Sequence, residues 1–173
     1  MLKPALLFKE ELNEIIISTW DNPKYKYYHI GFFDTPNVET SEWNNIRRVS
    51  LFNEKLIGYL SAYVDRTNNI ISNLCLLSVA SSFKEYKEFE RDLLLFMENL
   101  LQNYTVIQWN VVYDNPVRKK YEKFCKVVGG NIVGIHHKSA KIGLQMLDEE
   151  LFELLSSEQT LSKIRLLRER IKQ

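Results

Sequence analysis

The 173 residues include only two cysteines, three histidines, six glycines and four prolines, and each scarcity closes off a class of explanation. Cys75 lies in an apolar run and Cys125 in a basic one, neither with a neighbour at metal-ligand spacing, so both thiols read as free rather than bridged or metal-bound. His136 and His137 are adjacent, which on a strand sends them to opposite faces, so no shared metal is expected; His29 stands alone. There is no HExxH, no CxxC and no Gly-x-Ser-x-Gly, which argues against zinc-hydrolase, thiol-redox and serine-hydrolase chemistry. No apolar run approaches the ~20 residues of a membrane helix, since even Ile70 to Ala80 is broken by Ser72, Asn73 and Ser78. The opening MLKPALLFKEELNE lacks the apolar region and cleavage site of a signal peptide, so a cytoplasmic protein with no membrane partner is expected. A net charge of +1 gives no global reason to expect nucleic acid as a partner.

What is present suffices for one core. With 45% apolar residues the sequence reads as a single domain over residues 1–173. Lys3 to Leu7 reads as a first strand, and Phe8 to Trp20 as a helix with Leu12, Ile15, Ile16 and Thr19 on one face. The stretch from Asp21 to Asn45 holds Pro23, Pro36, Tyr25, Tyr27, Tyr28, Phe32, Phe33 and Trp43, and reads as turns and loops tied down by rings. RRVSLFN and IGYLSAYVD flank the turn NEKL as a hairpin, and IISNLCLLSVA follows as a central strand apolar on both sides. Phe89, Leu93, Met97, Leu100 and Tyr104 recur at helical spacing within Phe83 to Tyr104. TVIQWNVVY is a strand, and VRKKYEKFCKVV a helix closed by Gly129 and Gly130. NIVGIHH and the run from Lys141 to Leu147 read as two closing strands, with residues 156–173 as a final basic helix. The result is an α/β (α+β) fold with a mixed, mostly antiparallel central sheet flanked by helices. Its single parallel pair comes from one strand-helix-strand unit.

That order, together with the stretch DNPVRKKYEKFCKVVGG, resembles the GNAT superfamily of N-acetyltransferases over roughly residues 47 to 155. The resemblance implies acetyl-CoA as cofactor and an amine, on a small molecule or a peptide, as acceptor. It also implies that the end of the central strand (Leu77, Ser78, Val79), the following loop and first helical turns (Ser81, Ser82, Phe83, Lys84, Lys87, Phe89), and Asn115 with Tyr121 bind the cofactor. Tyr121 is the catalytic candidate, as the acid that protonates the departing thiolate; its alternative is an ordinary half-buried helical tyrosine. Asp114 competes with Asn115 for the family's Asn position, and Asn115 is equally read as a cap before Pro116. No general base stands out, since Glu54 and Asp65 fall in turns.

The family's R/Q-x-x-G-x-G/A loop, in which glycines let backbone N–H groups close on the pyrophosphate, is replaced here by SSFKEYKEFERD. Counting back from Leu93 sets Glu88 and Glu90 at the glycine positions, while Lys84, Lys87 and Arg91 supply positive charge. A GNAT-like binding or interaction module without transfer chemistry is therefore kept as the alternative function. The cluster Arg118, Lys119, Lys120, Lys123 and Lys126 reads as a solvated face or as attraction for the CoA 3′-phosphate. The stripe Leu161, Ile164, Leu167 and Ile171 is expected to dock on the domain or on a second copy in a homodimer.

Overall fold

The computed structural model describes residues 1–29 and 43–171. Phe32, Phe33 and Pro36 of the aromatic stretch lie outside the described residues, as does residue 172 of the basic tail.

The first strand is shorter than the sequence suggests. β1 (Leu2–Pro4) pairs antiparallel with β2 (Asn45–Phe52) over three residues, and Ala5–Phe8 is a 3₁₀ turn rather than strand. Pro4 ends the ladder, because it has no N–H to donate. The turn feeds α1 (Lys9–Ser18), which buries Leu12 and Ile16 one turn apart. β2 returns as β3 (Lys55–Asp65) through Asn53 and Glu54, whose φ angles of 48° and 65° make the mirror-image two-residue turn that suits a twisted hairpin. At the next reversal the Asp65 carboxylate accepts from Thr67 N, Asn68 N and Asn68 Nδ2, bonds that hold it below the usual carboxylate range.

β4 (Ile70–Ser78) follows, then α2 (Phe83–Asn103), β5 (Val106–Val112), α3 (Arg118–Val128), β6 (Asn131–Ile142), β7 (Gln145–Leu155) and α4 (Glu158–Ile171). Lys141 to Leu147 is not one strand. Gly143, at φ 59°, turns the chain with Leu144, so Lys141 and Ile142 end β6 while Gln145 begins β7. DEELFELL, before the final helix, belongs to that last strand.

Among the described residues, seven strands lie in the order β1-β2-β3-β4-β5-β7-β6, with β4·β5 the parallel pair. α2, α3 and α4 cover one face, sharing a core that runs from Ile57 and Leu60 through Phe89, Met97, Trp109 and Phe152 to Ile164. α1 covers the other face around Val49, Leu56, Tyr59 and Leu77. Gly58 on β3 is required by the first core: a Cβ there would stand 2.3 Å from the Phe89 ring and 2.7 Å from the Leu77 carbonyl oxygen.

The apolar stripe of α4 docks within the chain. Leu161 and Ile164 are buried, and Leu167 and Ile171 pack against the same core. The buried Glu98 of α2 binds Arg165 at 2.6 Å and Arg168 at 2.9 Å, pinning α4 to α2.

Candidate active site

β4 has unequal neighbours. With β3 it is paired from Ile70 to Ser78, across an irregularity where Asn73 takes φ 50°. With β5 it is paired only at Ile70↔Val106 and Ile71↔Ile107, after which the strands part while β5 continues against β7. The gap is flanked by two clefts. One, of ≈ 370 Å³, is lined among others by Tyr28, Cys75, Leu77, Asn110, Asn115 and Tyr121. The other, of ≈ 480 Å³, lies between α2, α3 and the end of α4; Phe89, Leu93, Met97 and Phe124 form much of its apolar wall, and Tyr86, Lys87, Glu90, Lys120 and Arg170 are among its polar groups.

Tyr121 lines both clefts, as do Leu76, Ser78 and Val117. Its ring meets Trp109 edge-on at 5.9 Å and lies 6.1 Å from Phe152, contacts that fix its direction. Burial pushes the Tyr121 hydroxyl far above the ordinary phenol range, with Cys75 and Tyr86 adding to the shift, so it holds its proton at neutral pH. Trp109 Nε1 beside it is buried with no hydrogen-bond partner among the described residues. Cys75 is half-buried in the smaller cleft, and burial raises its thiol also, which disfavours the thiolate a nucleophile requires.

Asn115 plays the local part open to it from sequence. Its Oδ1 accepts from Val117 N at 3.1 Å, shaping the entry to α3, and it also lines the smaller cleft. The Asp114 carbonyl accepts from the Tyr27 hydroxyl at 3.0 Å, tying the aromatic stretch to this corner.

The start of α2 differs most from the family pattern. Val79 N is bonded to the Ile57 carbonyl at 2.9 Å, and only four residues, Val79 to Ser82, separate strand from helix. Ser82 caps the helix, its Oγ accepting from Glu85 N at 3.2 Å. Glu85 reaches back in turn: Oε2 accepts from Ser81 N at 2.6 Å and from Ser81 Oγ at 2.8 Å, and Oε1 from Lys55 Nζ at 3.1 Å. These bonds, those from Ser81 foremost, depress the Glu85 pKa to about 2. Glu88 and Glu90 lie inside the helix: Glu88 pairs with Arg91, and Glu90 faces the larger cleft.

Of the residues singled out in the sequence, Leu77, Ser78, Lys87, Phe89, Asn115 and Tyr121 line the clefts. Val79 is bonded to β3, Ser81 and Ser82 serve the helix cap, and Phe83 and Lys84 are exposed. Leu76, Tyr86, Trp109 and Arg170 carry no site expectation from the sequence, whereas Lys120 belongs to the basic cluster read there as a solvated face or as attraction for the CoA 3′-phosphate. The cap was legible as S-x-x-E at residues 82–85. No Asp, Glu or His is among the described residues lining the smaller cleft. Glu150, buried nearby, is held by Arg118 at 2.6 Å. Nor do three His, Cys, Asp or Glu side chains cluster as a metal site would need, among the described residues.

No family model matches the sequence, and no curated protein does. Solved structures match the fold. A spermidine N-acetyltransferase from Vibrio cholerae, in complex with CoA and spermine, is 15% identical with TM-score 0.65, over 92% of this chain and 96% of its own. A ribosomal-protein-alanine N-acetyltransferase from Brucella melitensis is 12% identical with TM-score 0.62, over 90% and 99%. A probable acetyltransferase (GNAT family) from Chromobacterium violaceum is 9% identical with TM-score 0.65, over 86% and 84%. The chain has the acyl-CoA N-acyltransferase fold of these GNAT proteins.

Proposed function

We propose that this protein is an N-acetyltransferase that moves an acetyl group from acetyl-CoA to an amine by direct attack. The carrying observation is the parting of β4 from β5 after two residue pairs, with Tyr121 set between the resulting clefts. The larger cleft suits the donor's pantetheine arm, being apolar within and cationic at its edge, and the smaller one suits the acceptor.

Since Val79 N faces β3, strand alternation turns the Leu76 and Ser78 N–H groups toward the gap that β5 has left. Either is placed to polarise the thioester carbonyl, stabilising the charge that develops on its oxygen. The amine attacks the carbonyl carbon, the C–S bond breaks, and the protonated Tyr121 hydroxyl gives its proton to the departing sulfur. The proton lost by the amine passes to water, as the described part of the acceptor cleft offers no carboxylate or imidazole. For the same reason, and because Tyr25, Tyr27, Tyr28 and Lys24 line that cleft, the acceptor is an amine beside an apolar or aromatic group rather than a polycation.

The test is calorimetric titration with acetyl-CoA, followed by thiol release against a panel of amines. Absence of binding at millimolar acetyl-CoA refutes the assignment. The second reading, an acyl-CoA-binding module without transfer chemistry, draws on Glu85 at the start of α2; binding without thiol release on any amine selects it.

A further inference from the structure

Granted acetyl-CoA as donor, we propose that its diphosphate is seated on Lys87, Lys120 and Arg170 at the mouth of the larger cleft, because the Glu85 carboxylate holds the place at the start of α2. Two independent observations meet here. The first is an occupied anion seat. A helix N-terminus attracts negative charge through free N–H groups and the helix dipole. In this protein Ser81 N and Ser81 Oγ both donate to Glu85, Lys55 completes the shell, and the Ser82 hydroxyl is bonded to Glu85 N. With its acidity this strengthened the carboxylate stays charged through the physiological range and opposes any phosphate brought to the same place. The four-residue connection before the helix contains no glycine that would let backbone wrap an anion.

The second observation is a set of cations drawn from three helices. Lys87 comes from α2, one turn beyond the cap; Lys120 comes from α3; Arg170 comes from α4 and is exposed. All three line the larger cleft, whose interior is apolar, so their charges belong to its opening. Lys120 is oriented by the Tyr86 hydroxyl at 2.7 Å, and Lys87 stands 5.3 Å from the centre of the Phe83 ring. Glu90 is the one carboxylate among the described lining residues, and the three described cations against it leave a surplus of positive charge suited to a diphosphate.

The decisive experiment compares two donors by calorimetry: acetyl-CoA, and S-acetylpantetheine, which keeps the thioester arm but has neither diphosphate nor nucleotide. Wild type is expected to prefer acetyl-CoA. Lys87→Gln and Arg170→Gln are each expected to weaken acetyl-CoA by roughly threefold to tenfold, as for partly exposed charge pairs, and to leave S-acetylpantetheine unchanged. Glu85→Ala, which reopens the seat, is expected to strengthen acetyl-CoA by roughly twofold to fivefold. Glu85→Gln keeps an acceptor for Ser81 and guards against unfolding; it is expected to move affinity the same way by less. Equal weakening of both donors, no change with the lysine and arginine variants, or weaker acetyl-CoA binding in Glu85→Gln would overturn the seat while preserving the donor assignment. Binding of neither donor by wild type removes both.

Discussion

The two edges of β4 are built from the same nine residues and behave in opposite ways. Toward β3 the strand is paired along its length and locked by the packing of Phe89 over Gly58. Toward β5 it holds for two residue pairs and lets go, leaving backbone donors and a half-buried tyrosine facing the gap. The lesson is that an opening inside a sheet requires a strand that is over-secured on its other side. An unpaired N–H is costly when buried, and this arrangement is stable only because β3, α2 and α1 hold the strand in place.

The sharpest way to test that division is to strike each edge separately. Tyr121→Phe, on the open edge, is expected to lower kcat by about 10²–10⁴-fold, with little change in Tm or in KM for acetyl-CoA; steady-state kinetics and a melting curve read both. Unchanged kcat would assign Tyr121 to packing alone. Gly58→Val, on the closed edge, is expected to destabilise the fold by about 3 kcal/mol, because neither the Phe89 ring nor the Leu77 carbonyl has room to retreat. Denaturant unfolding measures it. At Asn73, whose φ of 50° marks the irregular step in β4, Asn73→Val is expected to cost about 1–2 kcal/mol and Asn73→Gly almost nothing.

The smallest effect concerns acid. Glu85 has a folded pKa of about 2 against an ordinary value of 4.5, so its stabilising bonds are fully present above about pH 4.5 and are lost as the pH falls toward 2. Glu85→Gln is therefore expected to flatten the acid side of a Tm-against-pH curve while leaving its shape above pH 5 unchanged.

The division between the edges also explains what could be read from the sequence. The central strand, the long helix and the helix bearing Tyr121 announce themselves through periodicity, because burial of one face dictates residue spacing whatever the partner. Pairing partners leave no such mark: nothing in IISNLCLLS states that β5 departs after Ile71. The hairpin of β6 and β7 was obscured because the turn at Gly143 and Leu144 is flanked by residues that continue an apolar alternation. At the start of α2, Ser82 and Glu85 are the two ends of a four-letter capping box, yet the role of Glu85 as an anionic acceptor for Ser81 becomes visible only with coordinates. Lys120 and Arg170 lie 50 residues apart in sequence and meet around one opening only because α4 folds back on α2.

That fold-back has a thermodynamic consequence. The last turn of α4 forms part of the wall of the larger cleft, and two arginines anchored on Glu98 hold the helix in position. Occupancy of the cleft and closure of this helix are then linked equilibria. A ligand at a hundred times its Kd would deepen the well for the docked helix by up to about 2.7 kcal/mol, if fraying of α4 abolished binding. Amide exchange along residues 158–171 would thus report on events in the cleft, making the final helix a built-in gauge of ligand occupancy.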